Sequence, residues 1–425
     1  MHPNPARIRR YIVKLARAFK VSALPLCALL AAACAMGDGI SYGAAANDDT
    51  GGLQCAPFDG LPSNPNATGD AAAVLAYIAD LSRGPYKGTI AAQSCDAGNE
   101  ICANPVPSGN AYAANSYGRL VKTLHDQTGK WVGMINLDYE CEKIFSPDQL
   151  SQGNKSLIDY WNAGGLVQVT FCPLSPWLND ESDIAGNPGV WTEAFYTSGV
   201  DLKLLLDPAS PLHAIWMRKL DRIAAALTEL RDAGVVVLWR PLQECTGGWF
   251  WYGSASHSSD PAPFVDLWRD MYRYFTDVKK LDNLLWVYAP AACGGSSASG
   301  RKPVDWIYPG AEYVDIVAGT SYNDGLYVVD YRTYIAMGKP LGMSEYGPTN
   351  VTANGSFDDR KYIDTLKSRY PRIAYWVTWA NWCSGWSNGA STYVLMAFVS
   401  NRYANEMMND PSVIDRDEIA WEAYR

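Results

Sequence analysis

Two glutamates stand where their neighbours make chemistry plausible to look for. Glu244 closes the run Trp239-Arg240-Pro241-Leu242-Gln243-Glu244, and Glu345 lies in Gly342-Met343-Ser344-Glu345-Tyr346-Gly347. Each follows a short apolar run and precedes a turn rich in glycine or aromatics. A pair of carboxylates facing each other across a cleft is the minimal kit for cleaving a glycosidic bond. One attacks the anomeric carbon, and the other protonates the leaving oxygen and then deprotonates water. Repulsion between the like charges keeps one of them protonated as the acid. A single glutamate at a strand end reads equally well as a cap or a salt-bridge partner; two in matching settings do not.

Beside Glu244 comes Gly247-Gly248-Trp249-Phe250-Trp251-Tyr252-Gly253. Four consecutive aromatics between glycines make a poor strand or helix and a good platform for sugar rings. The alternative is an apolar plug beneath a loop. Asp138 and Glu140 form a rival acidic pair. Their spacing near one strand end reads as rim-facing substrate contacts or structural anchors rather than as the catalytic pair. Cys245 has no histidine in a recognisable partner motif, so a thiol nucleophile is not expected.

These residues need a scaffold that brings distant segments to one rim. Eight short apolar runs serve as candidate strands: 87–93, 131–137, 166–171, 235–242, 284–288, 314–318, 340–344 and 373–379. Near-continuous apolar runs suit strands buried on both faces. Helical patterns lie between them, at 111–127, 147–163, 212–233, 263–279 and 358–369. In the third of these Leu220, Ile223, Leu227 and Leu230 recur at helical spacing, and Gly234 supplies the stop. The alternation predicts an α/β fold, a (β/α)8 TIM barrel forming a single catalytic domain, with its chemistry at the C-terminal ends of the strands. No Gly-x-Gly-x-x-Gly follows an early strand, which weakens a dinucleotide-binding reading.

The chain has 425 residues and a net charge of -9, with 16 Trp, 26 Tyr and 10 Phe. The acidic balance, without like-charge runs, argues against a nucleic-acid partner. Arg7, Arg9, Arg10, Lys14, Arg17 and Lys20 precede an apolar run from Val21 to Ala35 that is too short for a stable membrane span. Residues 1–35 therefore read as a signal peptide, 36–85 as a leader and N-terminal segment, and 86–425 as the barrel. The expected destination is outside the cytoplasm: secreted, periplasmic or at the cell surface. Ala33-Cys34-Ala35 fits a cleavage site, and membrane attachment is expected only if Cys34 carries a lipid. Cys55, Cys95, Cys102, Cys141, Cys172, Cys245, Cys293 and Cys383 follow the signal, an even number that suggests disulfides in an exported protein. Cys95 and Cys102 are close enough to close a small loop. His125, His213 and His257 are scattered, so neither a metal site nor a cofactor is expected.

The run from Arg240 to Gly253 resembles the strand-four signature of glycoside hydrolase family 26, best known for endo-β-1,4-mannanases and including β-1,3-xylanases and mixed-linkage β-glucanases. Ser344-Glu345-Tyr346-Gly347 resembles that family's strand-seven motif. Val314-Asp315-Ile316-Val317 with Ser321-Tyr322 resembles its strand six. The resemblance implies a retaining hydrolase with Glu244 as acid/base and Glu345 as nucleophile. It implies that Tyr322 orients Glu345, that Arg240 holds the carboxylates from beneath, and that Trp249 stacks on the sugar. Trp379 would floor the same subsite, with Trp376 and Trp382 competing for the role. Trp251, Trp177, Asp138 and Tyr327 are further candidate sugar contacts. Two positions depart from the family pattern, Gln243 and Cys172, where histidines are usual. Both are candidate substrate neighbours, and Gln243 offers an amide to a 2-hydroxyl. The departures suggest a shifted sugar preference. A disulfide between Cys172 and Cys245, which follow neighbouring strands, would account for both at once; two unrelated small residues is the alternative. The expected partner is a polysaccharide or oligosaccharide, cleaved by a monomer. β-Mannan or a related hemicellulose leads. β-Glucan, β-1,3-xylan and a bacterial exopolysaccharide keep the same chemistry, and a catalytically silent sugar-binding protein is the reading from another class.

Overall fold

A computed structural model of the chain describes residues 58, 60–95, 117–140, 142–257, 259–292, 301–349, 353–387 and 390–425. Eight parallel strands run in chain order: β1 (Thr89–Ser94), β2 (Met134–Asp138), β3 (Leu166–Phe171), β4 (Val237–Pro241), β5 (Leu284–Tyr288), β6 (Ile316–Tyr322), β7 (Leu341–Gly347) and β8 (Ile373–Thr378). Each pairs with its neighbour, and β1 also pairs with β8, Ile90 opposite Tyr375, so the sheet closes into a barrel. All eight expected strands are present. Leu166–Phe171 and Leu284–Tyr288 keep the expected limits, whereas β6 and β7 run further toward the rim than their apolar runs.

The principal helices are α1 (Gly69–Leu81), α2 (Thr123–Thr128), α3 (Pro147–Asn162), α4 (Pro211–Asp232), α5 (Ala262–Arg273), α6 (Tyr331–Ala336) and α7 (Arg360–Arg369). Local chemistry sets their ends. Ser146 and Gln149 form a reciprocal capping box at the start of α3, with Pro147 in its first turn. Ser210 accepts from Leu212 N to start α4. The expected helix at 111–127 is described only from residue 117, as a π-helical turn over Tyr117–Lys122 leading into α2.

The buried residues separate into two groups that follow the two-residue period of the strands. Ala91, Ile135, Val167, Val169, Val237, Trp239 and Trp286 face outward, beneath residues such as Leu220, Ile223 and Leu227 of α4. Ile90, Ala92, Met134, Leu166, Leu238, Leu285, Ile316 and Ala318 form the inner group, together with Val74, Leu75 and Ile78 of α1. Helix α1 thus belongs to the barrel core, although the sequence reading placed it in a segment ahead of the domain. Further from the strands' starts, the inner positions turn polar. Asn136 donates to Ser94 Oγ at 3.1 Å, and Gln168 and Thr170 donate to Asn136 Oδ1 at 3.0 and 2.8 Å. This layer is the floor on which the site stands.

The expectations also left out β9 (Trp382–Ser387) with β10 (Ala390–Val394), an antiparallel pair after β8, and β11 (Val413–Ile414), which adds parallel to β1. The signal peptide, Cys34 and four of the eight cysteines (Cys55, Cys102, Cys141 and Cys293) lie outside the described residues, as does the side chain of Cys383.

Candidate active site

Local backbone features aim the two glutamates. On β7, Ala318 pairs with Gly342 and Gly319 with Met343, but Thr320 pairs with Glu345, so Ser344 is an extra residue in the ladder. Such a bulge re-aims the side chains beyond it. It brings Glu345 into the inward phase that Gly342 occupies one turn of pleat earlier. At the end of β4 the chain takes two left-handed residues, Leu242 (φ 51°) and Glu244 (φ 53°). Non-glycine residues adopt this conformation at a cost of about 1–3 kcal/mol each and cluster at functional sites. Glu244 N donates to Ala289 O at 2.7 Å, and Gly247 N donates to Glu244 O at 2.8 Å, which holds the turn.

Arg240 is fully buried and acts electrostatically on both glutamates. Its Nη2 donates to Glu345 Oε1 at 2.6 Å and to Thr320 Oγ1 at 3.2 Å; its Nη1 donates to Gln243 Oε1 at 2.7 Å. Tyr322 OH donates to the other Glu345 oxygen at 2.8 Å. Both Glu345 oxygens are therefore fixed. Burial and the Glu345 charge push the Tyr322 phenol well above its ordinary range, so it stays a donor. Trp249 Nε1 donates to Glu244 Oε2 at 2.9 Å. Gly247 permits that placement, since a Cβ there would lie 2.5 Å from the indole ring. Gly253 is equally constrained, with a Cβ position 2.3 Å from Gly247 O.

Electrostatics separates the pair. Burial, and then the Glu345 charge, raise the Glu244 carboxyl to about 8, against the opposing influence of Arg240, the Trp249 hydrogen bond and Arg301. Glu244 therefore carries its proton at neutral pH, as a general acid requires. Asp138, the last residue of β2, is paired with Thr170, which is paired in turn with Arg240. Burial raises its carboxyl to about 7, with Arg240 opposing and Glu345 reinforcing the shift.

A cleft opens over Glu244 and is lined by Trp249, Arg301, Tyr322, Asn323, Tyr327 and neighbouring residues. Tyr327 was expected to widen the cleft and does line it. Arg301 and Asn323 were not singled out. Arg301 follows a stretch of Gly, Ser and Ala with no periodicity, and Asn323 looks like any turn residue, so neither carries a sequence signal.

Other expected contacts lie elsewhere. Trp251 is fully buried and donates to Pro173 O at 2.7 Å; its ring packs between Trp177 and Trp216. It is the plug beneath the loop, not a sugar platform, and the half-buried Trp177 packs against it. Cys172 is also fully buried, 3.6 Å from the Tyr252 hydroxyl, and has no surface for a substrate. Cys172 and Cys245 are free thiols, which corrects the expected rim disulfide. Each sulfur is buried among aromatic neighbours instead; Cys245 lies against Tyr288. Trp376 is a core residue stacked on Tyr362, so it does not compete with the half-buried Trp379. The side chain of Trp382 is outside the described residues. Glu140 is an anchor. It is buried with Lys219, Arg222 and Glu181 in a network of ion pairs, and it accepts from Leu174 N at 2.9 Å, tying down the loop after β3.

A closed (β/α)8 barrel that lifts one glutamate from β4 and one from β7 to its rim, with an arginine bonded to the second and aromatic walls, has the form of a barrel glycoside hydrolase. Comparison with known proteins gives the family: the chain belongs to glycosyl hydrolase family 26, whose profile matches residues 63–418. Mannan endo-1,4-β-mannosidase A and B of Caldalkalibacillus mannanilyticus is 32% identical over 376 residues, which cover 84% of this chain and 63% of that protein. A mannan endo-1,4-β-mannosidase of Bacillus subtilis is 29% identical over 364 residues, covering 83% of this chain and 90% of that protein. A solved Bacillus subtilis mannanase structure superposes with a TM-score of 0.65 at 25% identity, over 84% of this chain and 96% of that one.

Proposed function

We propose that the chain is an exported, retaining endo-hydrolase of β-1,4-mannan or a related hemicellulose. The observation that carries the reading is the asymmetric pair: a Glu345 carboxylate fixed by Arg240 and Tyr322, and a Glu244 carboxyl kept protonated near neutral pH. Family membership and the mannanases among the relatives support the substrate class.

In this reading Glu345 attacks the anomeric carbon while Glu244 gives its proton to the leaving oxygen, forming a glycosyl-enzyme ester. Esterification removes the Glu345 charge. That charge is the second largest cause holding the Glu244 carboxyl up, so Glu244 becomes more acidic once the ester forms. It is then suited to take a proton from the water that opens the ester. Tyr322 and Arg240 release or retighten their bonds as the charge on Glu345 leaves and returns. Trp249 holds Glu244 and offers its ring to the sugar, and Trp379 floors the cleaved sugar's subsite; Asp138, expected to touch the sugar, is instead buried at the end of β2, within electrostatic reach of Arg240.

Gln243 favours a second reading on substrate. Arg240 can only donate, so the Gln243 carbonyl is committed to it and the amide NH2 is the group left for a substrate. An amide here, where the family usually has a histidine, changes the polar surroundings of the sugar, and gluco- or xylo-polymers are the alternative substrates. A reducing-sugar assay on β-mannan, glucomannan, mixed-linkage glucan, β-1,3-xylan and a bacterial exopolysaccharide, with Glu244→Ala and Glu345→Ala alongside, tests both. Activity on mannan lost in both variants is expected. Preference for a glucan or xylan would move the assignment to the second reading, and activity surviving Glu345→Ala would overturn the site. Export rests on the basic and apolar N-terminal pattern; N-terminal sequencing of the protein from culture medium or periplasm, starting after residue 35, is the expected result.

A further inference from the structure

The cleft over Glu244 contains a cation. Arg301 lines it with Glu244, Trp249, Tyr322, Asn323 and Tyr327. On the reading above, Glu244 protonates the oxygen that departs with the leaving chain, so a cation beside Glu244 stands near the first sugar of that chain. Arg301 is held there by more than its own backbone. Its guanidinium carbon sits 5.3 Å from the centre of the Trp249 ring, a cation–π distance. Its Nη1 donates to Ala292 O at 3.1 Å. The next residue, Lys302, donates its N–H to Thr246 O at 2.9 Å. Thr246 Oγ1 in turn both donates to Ala291 O and accepts from Ala291 N, each at 3.1 Å. The segments after β4 and β5 are thus clamped together, and the clamp sets the arginine beside the acid.

Elsewhere in the lining, Asn323 Oδ1 accepts from Tyr327 N at 2.7 Å and its Nδ2 donates to Tyr327 O at 2.9 Å, while Arg369 packs over the Tyr327 ring at 4.5 Å. The Tyr327 wall is as firmly built as the Trp249 wall.

We propose that Arg301 is a specificity-determining residue for the first sugar on the leaving-group side. Its guanidinium donates to the hydroxyl and ring oxygens of a neutral hexose whose apolar face is met by the aromatic walls. A guanidinium is a planar fork of donors with no acceptor, suited to two neighbouring oxygens at once. The inference rests on the hydrolase reading.

The test compares two substrates of the full chain, a β-1,4-linked mannohexaose and a dinitrophenyl β-mannobioside whose leaving group is not a sugar. In Arg301→Ala, kcat/KM for the hexaose falls at least tenfold further than for the aryl glycoside. The shift is carried mainly by KM. Arg301→Lys, which keeps charge and volume but loses the fork, recovers part of the difference and guards against a simple folding defect. Equal losses on both substrates would assign Arg301 to structure and overturn the proposal, as would an unchanged hexaose rate. A wild-type protein inactive on both substrates would instead refute the β-mannan reading beneath it.

Discussion

Trp249→Phe separates the two roles assigned to Trp249, because it keeps an aromatic face and removes the N–H that donates to Glu244 Oε2 at 2.9 Å. That bond favours the charged carboxylate and opposes the burial and Glu345 repulsion that raise Glu244 to about 8. A hydrogen bond to a charged group contributes about 1.5–3 kcal/mol, and about 1.4 kcal/mol corresponds to one pH unit. Removing it therefore raises the Glu244 carboxyl by roughly one to two pH units. On the proposed mechanism Glu244 is protonated for the first step, so the alkaline limb of kcat/KM moves up in pH and the optimum broadens on that side. At high pH the variant outperforms the wild type relative to each enzyme's own maximum. The assay is kcat/KM on mannohexaose from pH 4 to 11. An alkaline limb that stays in place, or that moves down, would show that Trp249 does not stabilise the Glu244 carboxylate, and the reasoning about the acid would be wrong.

Three further outcomes follow from the same contacts. Tyr322→Phe frees one Glu345 oxygen and lowers kcat by about 10- to 100-fold, the loss expected of one hydrogen bond to a charged group, with KM changed much less. Asp138→Asn tests linkage. The folded carboxyl titrates at about 7 against roughly 3.9 when unfolded, so wild-type stability falls as pH rises from about 4 through 7, by on the order of 4 kcal/mol. The neutral amide escapes that loss, so its melting temperature gains on the wild type between pH 4 and 8, and a gap constant with pH would count against the shifted carboxyl. Glu140→Gln strips one anion from the buried network with Lys219, Arg222 and Glu181, and urea unfolding is expected to show a loss of about 3–5 kcal/mol; a loss below about 1 kcal/mol would mean the network is not coupled.

The parts legible in the sequence were those that periodicity or strand position announces. Glu244 and Glu345 could be read because apolar strands end beside them, and the barrel because eight such runs alternate with helical ones. The bulge at Ser344, which turns Glu345 inward, has no residue signature, since a serine fits a regular strand as well. Four aromatics in a row carry no period, so Trp249 in the cleft and Trp251 in the core could not be told apart. Cys172 was placed at the rim by counting along β3, but the chain turns so that its thiol packs beneath Tyr252. Helix α1 could have been found. Thr68 caps it, accepting from Ala71 N at 3.1 Å, and its mostly apolar run suits an element buried under the strands. β11 is only two residues long, too short for any pattern to show.

The central claim is that Glu345 carries the sugar between two displacements. Incubation with a 2-deoxy-2-fluoro β-mannosyl fluoride, followed by peptide mapping by mass spectrometry, tests it directly. The account predicts one covalent sugar, on the peptide containing Glu345, and release of β-configured product from ordinary substrate. A label on another residue, or product of inverted configuration, would contradict it.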